Sequence, residues 1–163
     1  MKKSTLSAFV AVIVAAGAVL SASGEVLGKH ADNKIYAQTL VNEALAANPD
    51  ILVIGLHAIV PGQKEYTMIA SNLNSIGEKD GEDDVSVAEN HLIILAPNQK
   101  TFDRIEVQMP LKTAAGKYIG SIVAVFKYDE DTDQPKLLTR ALEVRKALER
   151  KVPSLAALLE TSK

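Results

Sequence analysis

His57 is the one histidine set inside an apolar run, ILVIGLHAIV from Ile51 to Val60. An imidazole there has two readings. It faces a pocket as a hydrogen-bonding group or metal ligand, or it is a core histidine satisfied by backbone or water, the reading burial statistics favour. Downstream lies a polar stretch, Ser71 to Asp84. Asn72 and Asn74 offer amides to a small polar molecule, Lys79 offers a cation to a carboxylate, and Asp80 and Asp84 offer carboxylates to an amine. The same composition also describes a solvated acidic loop. Tyr66 and Tyr118 are pocket walls or ordinary packing residues. His57, Tyr66, Asn72, Asn74, Lys79, Asp80 and Asp84 form the candidate ligand-binding set.

Bond-making chemistry finds little support. There is no G-x-S-x-G elbow, phosphate loop or G-x-G-x-x-G, and Gly116 and Gly120 are too sparse for a phosphate cradle. No Ser-His-acid arrangement is indicated. His30, His57 and His91 lack the i, i+4 spacing of a zinc-binding helix. Asp129, Asp131 and Asp133 match the opening of a calcium loop. Gln134 then stands where the sharp-turn glycine belongs, and Arg140 where the bidentate glutamate belongs. These acids suit a turn before a helix, whose N-terminal end is positive. No catalytic residue, metal site or cofactor is assigned, and the chain reads as a non-enzyme.

Cysteine is absent, which removes disulfides, thiol nucleophiles and thiolate metal sites. The chain opens Met1-Lys2-Lys3, runs apolar from Leu6 to Leu20 and exits through Ser21-Ala22-Ser23-Gly24. That is the pattern of a secretory signal peptide over 1–24, although its length also fits an uncleaved anchor. The expected location is the bacterial periplasm or outside the cell, with no further membrane span. Two lysines leave with the leader, so the net charge moves from −2 to about −4. A mildly acidic protein without a basic stripe is a poor nucleic-acid binder. Residues 25–163 are the size of one domain.

The elements that must hold the candidate residues follow from periodicity. Ala37, Leu40, Val41, Ala44 and Leu45 mark a helix from Asp32, a candidate N-cap, to Ala47. Ile51 to Val60 and Tyr66 to Ala70 form a hairpin about Pro61-Gly62. Ser71 to Glu89 reads as an irregular connection with at most a short helical turn. His91 to Ala96 is a short strand. In the next strand Ile105, Val107 and Met109 face the core, and Arg104, Glu106 and Gln108 face water. The strand through Ile119 to Phe126 is apolar on both sides, hence central. Leu137, Ala141, Val144 and Leu148 mark a last long helix, ended before Pro153, and Leu155 to Leu159 a final turn. The class is α+β, an antiparallel sheet of about five strands with helices segregated to the ends.

The segment Phe102 to Tyr128, FDRIEVQMPLKTAAGKYIGSIVAVFKY, is more specific. A strand closing on Pro110-Leu111, a turn ending in Gly116-Lys117 and a strand with Gly120 and Phe126 resemble the closing hairpin of extracellular PAS-like sensor domains of the Cache type. The resemblance implies flanking N- and C-terminal helices, and a pocket lined by the connection between the second and third strands. It implies binding of a small metabolite. Membrane sensors of that class carry a second membrane helix and a cytoplasmic output domain. This sequence shows neither, so the expectation is a module that reports to a partner. The alternative is a structural or interaction protein that forms a homodimer or docks on a membrane receptor.

Overall fold

A computed structural model of the chain describes residues 33–162. The leader assigned to 1–24 lies outside the described residues, and the first helix starts at Tyr36 with the extended Ile35 in the N-cap position, four residues later than the Asp32 start expected from the sequence. Helix α1 (Tyr36–Ala47) leads into β1 (Ile51–Ile59) and β2 (Tyr66–Ser71). Helix α2 (Glu82–Asn90) follows, then β3 (Ile94–Pro97), β4 (Arg104–Lys112), β5 (Tyr118–Lys127), α3 (Gln134–Glu149) and α4 (Leu155–Leu159).

The strands form one five-stranded sheet in the order β2-β1-β5-β4-β3, antiparallel throughout. The expected α+β class with flanking helices is what the chain adopts. Strand β5 is central, as its two-sided apolar pattern requires. Gly116, at φ 84°, closes the β4–β5 turn in a conformation that favours glycine. At Gly120 the requirement is space: a Cβ there would sit 1.9 Å from the carbonyl oxygen of His57 on β1.

Alternation splits the sheet into two unlike faces. On one, Ile54, Leu56, Ile105, Val107, Met109, Leu111 and Ile122 pack with Leu40 and Val41 of α1, Ala141, Val144 and Leu148 of α3, and Leu158 of α4. This is the main core. Asp133 caps α3, its carboxylate accepting from the Lys136 N–H at 3.0 Å. Asp129 accepts from the Asp131 N–H and the Thr132 hydroxyl, so these acids build the turn before the helix. Arg140, on α3, donates two bonds to Asp50 and one to Asn48, fastening the α1–β1 turn.

The opposite face departs from expectation. The connection read as irregular contains α2, a nine-residue helix lying against β4 and β5. Glu106 and Gln108, expected in water, are therefore covered, and Gln108 is only 2% exposed. The short strand begins at Ile94, not at His91, because α2 runs on to Asn90 and His91 ends it with φ 57°.

Candidate functional site

Three rows of the sheet define the face beneath α2. His57 pairs with Ser121, and Ser121 with Pro110. Gly55 pairs with Val123, and Val123 with Gln108. Val53 pairs with Val125, and Val125 with Glu106. Cross-strand partners share a face, so His57, Ser121, Gln108 and Glu106 surround an apolar patch of Val53, Val123 and Val125.

The polar groups come from four elements. His57 lies on β1, and Gly55 gives its ring room: a Cβ at Gly55 would stand 2.8 Å from His57 Nε2. Residues Gly77 to Asp80 dock on β2, with the Gly77 N–H donating to the Met68 carbonyl and the Asp80 N–H to the Tyr66 carbonyl. That run delivers Asp80 to the imidazole, where Oδ1 lies 2.8 Å from His57 Nδ1. Both side chains are buried, 5% and 2% exposed. Gly81 starts α2, and Glu82, Asp83 and Asp84 fill its first turn, where the helix end favours negative charge. Asp83 accepts from Gln108 Nε2 at 3.0 Å, tying α2 to β4. Only Val87 and Ala88 of α2 are fully buried, so the helix rests on a narrow base.

Charge is unbalanced here. Desolvation works against a charged His57, but the hydrogen bond to Asp80 and the charges of Asp84, Asp80 and Asp83 outweigh it, and its pKa is raised. Burial pushes Asp84 up to about 6, with the His57 charge pulling the other way. Burial raises Glu106 too, against the pull of the adjacent Gln108. One imidazole thus faces the carboxyl groups of Asp80, Asp83, Asp84 and Glu106.

Hydrogen bonding is incomplete in the same place. His57 Nε2, Asp80 Oδ2, Asp84 Oδ1, Gln108 Oε1 and Ser121 Oγ are buried without a partner. Buried polar atoms are nearly always satisfied, and each orphan costs about 1–3 kcal/mol. Five such atoms gathered at one short helix make this region the candidate site. Among the described residues no three such side chains are arranged to hold a metal ion.

The sequence-predicted residues separate. His57, Asp80 and Asp84 come together in this cluster. Tyr66 lines a neighbouring cleft, and burial raises its hydroxyl pKa, with help from the charges of Glu89 and Asp80. Asn72 is buried, and its side chain accepts from the Ile54 N–H and donates to the Leu52 carbonyl, continuing the pairing of β2 with β1. Asn74 is exposed. Lys79 is exposed and pairs with Glu65. Glu106, Gln108 and Ser121 were not foreseen. Their signal was available: polar residues on strands whose partners are apolar on both faces.

The cleft has a volume of about 670 Å³ and is lined by Ile59, Tyr66, Ala88, His91, Tyr118 and Ile119 among others. His91 stacks on Tyr118 with ring centroids 3.5 Å apart, and Lys112 Nζ lies 4.4 Å from the same ring. None of the five orphan atoms belongs to a residue of this lining, but the two regions adjoin. Ala88 lies one turn from Asp84 on the same side of α2, and Gly120 precedes Ser121.

No family model matches the sequence, and no curated protein matches it. Solved structures match the fold. The GAF domain of A. aeolicus nlh2, in an inactive state, aligns with TM-score 0.54 at 12% identity over 70% of this chain and 82% of that one. A protein assigned as a GAF sensor from Burkholderia vietnamiensis aligns with TM-score 0.52 at 12% identity, over 79% of this chain and 83% of that one. Both are GAF domains, which share the PAS-like architecture, rather than Cache domains.

Proposed function

We propose that this chain is a small-ligand-binding sensory module, exported to the periplasm or beyond, with its ligand held on the sheet face beneath α2. One observation carries the reading: five buried, unpaired polar atoms lie beneath and beside α2, a helix with only two fully buried residues. A fold used by GAF sensor domains supports it. The apolar start of the chain and the Cache-like hairpin support the extracellular setting.

The mechanism is a population shift. Helix α2 covers the cluster in the described state, so the orphan groups are shut away from water. A ligand satisfying them favours one arrangement of α2 and its approach loop, and the shift is limited by the difference in affinity between arrangements. The signal then passes to a partner protein.

A thermal-shift screen of the domain from residue 25 onward tests this, with amino acids, carboxylates, amines and purines as the panel. A ligand at 100 times its dissociation constant adds about 2.7 kcal/mol, several degrees for a domain of this size. The expected result is a hit that vanishes in His57→Gln and persists in Lys79→Ala. A hit that persists in both places the ligand elsewhere.

A second reading, an interaction protein, rests on a different observation. Leu92, Ile93 and Phe102 are 47%, 42% and 56% exposed and flank the edge strand β3. Open edges invite pairing. Dimerisation that is lost in Phe102→Ser with an unchanged ligand response would join the two readings; dimerisation with a flat ligand screen would favour the second.

A further inference from the structure

We infer that the cluster beneath α2 takes an organic cation: a primary ammonium or amidinium head carrying an apolar or aromatic body. The inference rests on the ligand-site reading above and names its ligand class.

Gln108 Nε2 must face the Asp83 carboxylate, because only the amide nitrogen donates. Its orphan Oε1 is therefore an acceptor. Asp80 Oδ2 and, when ionised, Asp84 Oδ1 are acceptors as well. Ser121 Oγ accepts or donates, and so does His57 Nε2 according to its proton. Three of the five orphans are therefore acceptors, and the larger unmet need of this face is for donors. An ammonium brings three and no acceptor.

Charge points the same way. Four carboxyl groups face one imidazole, an excess of buried negative charge. An anionic ligand would add to that excess, and a neutral one would leave it uncompensated; a cation compensates it. A bare metal ion is a poorer fit, since no three carboxylates or imidazoles among the described residues converge on one point.

The body of the ligand follows from what adjoins the head. One helical turn beyond Asp84 the wall becomes Ala88, and the cleft of about 670 Å³ opens between Ile59, Tyr66, Tyr118 and Ile119. A head between Asp80, Asp84 and Gln108 therefore directs its substituent along α2 into an aromatic-walled cleft. Helix α2 must lift for the head to enter, because the orphan atoms have less than 1 Å² of exposed surface each.

Proton linkage supplies a signature. Asp84 is faced by His57 from β1, Asp80 from the approach loop, Asp83 from its own helix and Glu106 from β4. A cation requires Asp84 ionised, so affinity strengthens as pH rises through its pKa of about 6. For one coupled proton the gain between pH 5 and pH 7.5 is about tenfold.

The test uses three probes of similar shape: 2-phenylethylamine, 2-phenylethanol and 3-phenylpropionate, in thermal shift and calorimetry on the domain from residue 25 onward. The amine alone is expected to raise the melting temperature, more at pH 7.5 than at pH 5. Asp84→Asn is expected to weaken amine binding at least about tenfold while raising the melting temperature of the ligand-free protein at pH 7.5, so that the loss of binding does not come from a loss of stability. Gln108→Leu keeps the test open if Asp84→Asn fails to fold, with loss of the amine response expected. Preference for the propionate or the alcohol, lost in His57→Gln, overturns the cation class and upholds the ligand site. No response to the amine at millimolar concentration also overturns the cation class, and the ligand-site reading then falls only if the broad screen is flat too.

Discussion

The two faces of the sheet solve different problems with the same five strands. Under α1, α3 and α4 the side chains are aliphatic and shut from water, with Ile54, Leu56, Ile105, Met109, Leu111 and Ile122 all fully buried. Under α2 the strands carry His57, Ser121, Gln108 and Glu106 at positions where valine or isoleucine would be more stabilising. The first face accounts for the fold. The second gives up stability at several points, where buried polar groups lack partners. Gly120 couples them, since β5 must approach the His57 carbonyl closely for either face to form.

Substitutions can break this contrast, and the largest effect falls on the coupling residue. Gly120→Val drives a side chain into the His57 carbonyl, and a loss of at least about 3 kcal/mol is expected in chemical denaturation. Next, Ile54→Ala and Leu111→Ala in the aliphatic face should each cost about 2–5 kcal/mol, leaving ligand affinity of the folded fraction unchanged.

The pH response of the ligand-free protein sharpens the contrast. Asp84 has a pKa raised to about 6 from 3.8 in the folded state, and His57 is raised from 6.5. A raised pKa gives a contribution that is complete below the unfolded value and lost as pH rises through the folded value. For Asp84 that loss, between about pH 4 and pH 6, is on the order of 2–3 kcal/mol. His57 adds a further decline above pH 6.5. Stability measured by denaturant should therefore fall from pH 5 to pH 8, and Asp84→Asn should flatten the lower part of that slope. Ser121→Ala removes an orphan hydroxyl at a change within about 1 kcal/mol, yet it should weaken binding. Lys79→Ala, on the surface, should lie within about 0.5 kcal/mol and alter neither property.

The aliphatic face was legible in the sequence because it follows simple periods. Ile105, Val107 and Met109 alternate, Leu137, Ala141, Val144 and Leu148 repeat with the helix, and Gly116 sits where a turn needs it. The other face was only half legible. His57 stood out in its apolar strand, and Asp80 and Asp84 were among the loop acids, but nothing local says they meet. Helix α2 was missed because Ser71 to Glu89 is rich in acids, asparagine and glycine, and gives only Val85, Val87 and Ala88 as an apolar stripe. The cue that was present is the acid run after Gly81, which suits a helix N-terminus. Missing that helix put Glu106 and Gln108 in water, since alternation shows which side chains share a face and not what covers it. Asn72 illustrates the converse: an amide in a polar loop whose hydrogen bonds go to the β1 backbone.

The central claim is that the face beneath α2 is built to open while the aliphatic face is not. Residue-resolved amide hydrogen exchange on the folded domain tests it without knowing the ligand. The α2 amides are expected to exchange through a local opening of lower free energy than the amides of β1 and β5, which exchange only on global unfolding. Exchange of α2 at the same free energy as β1 and β5 would contradict it.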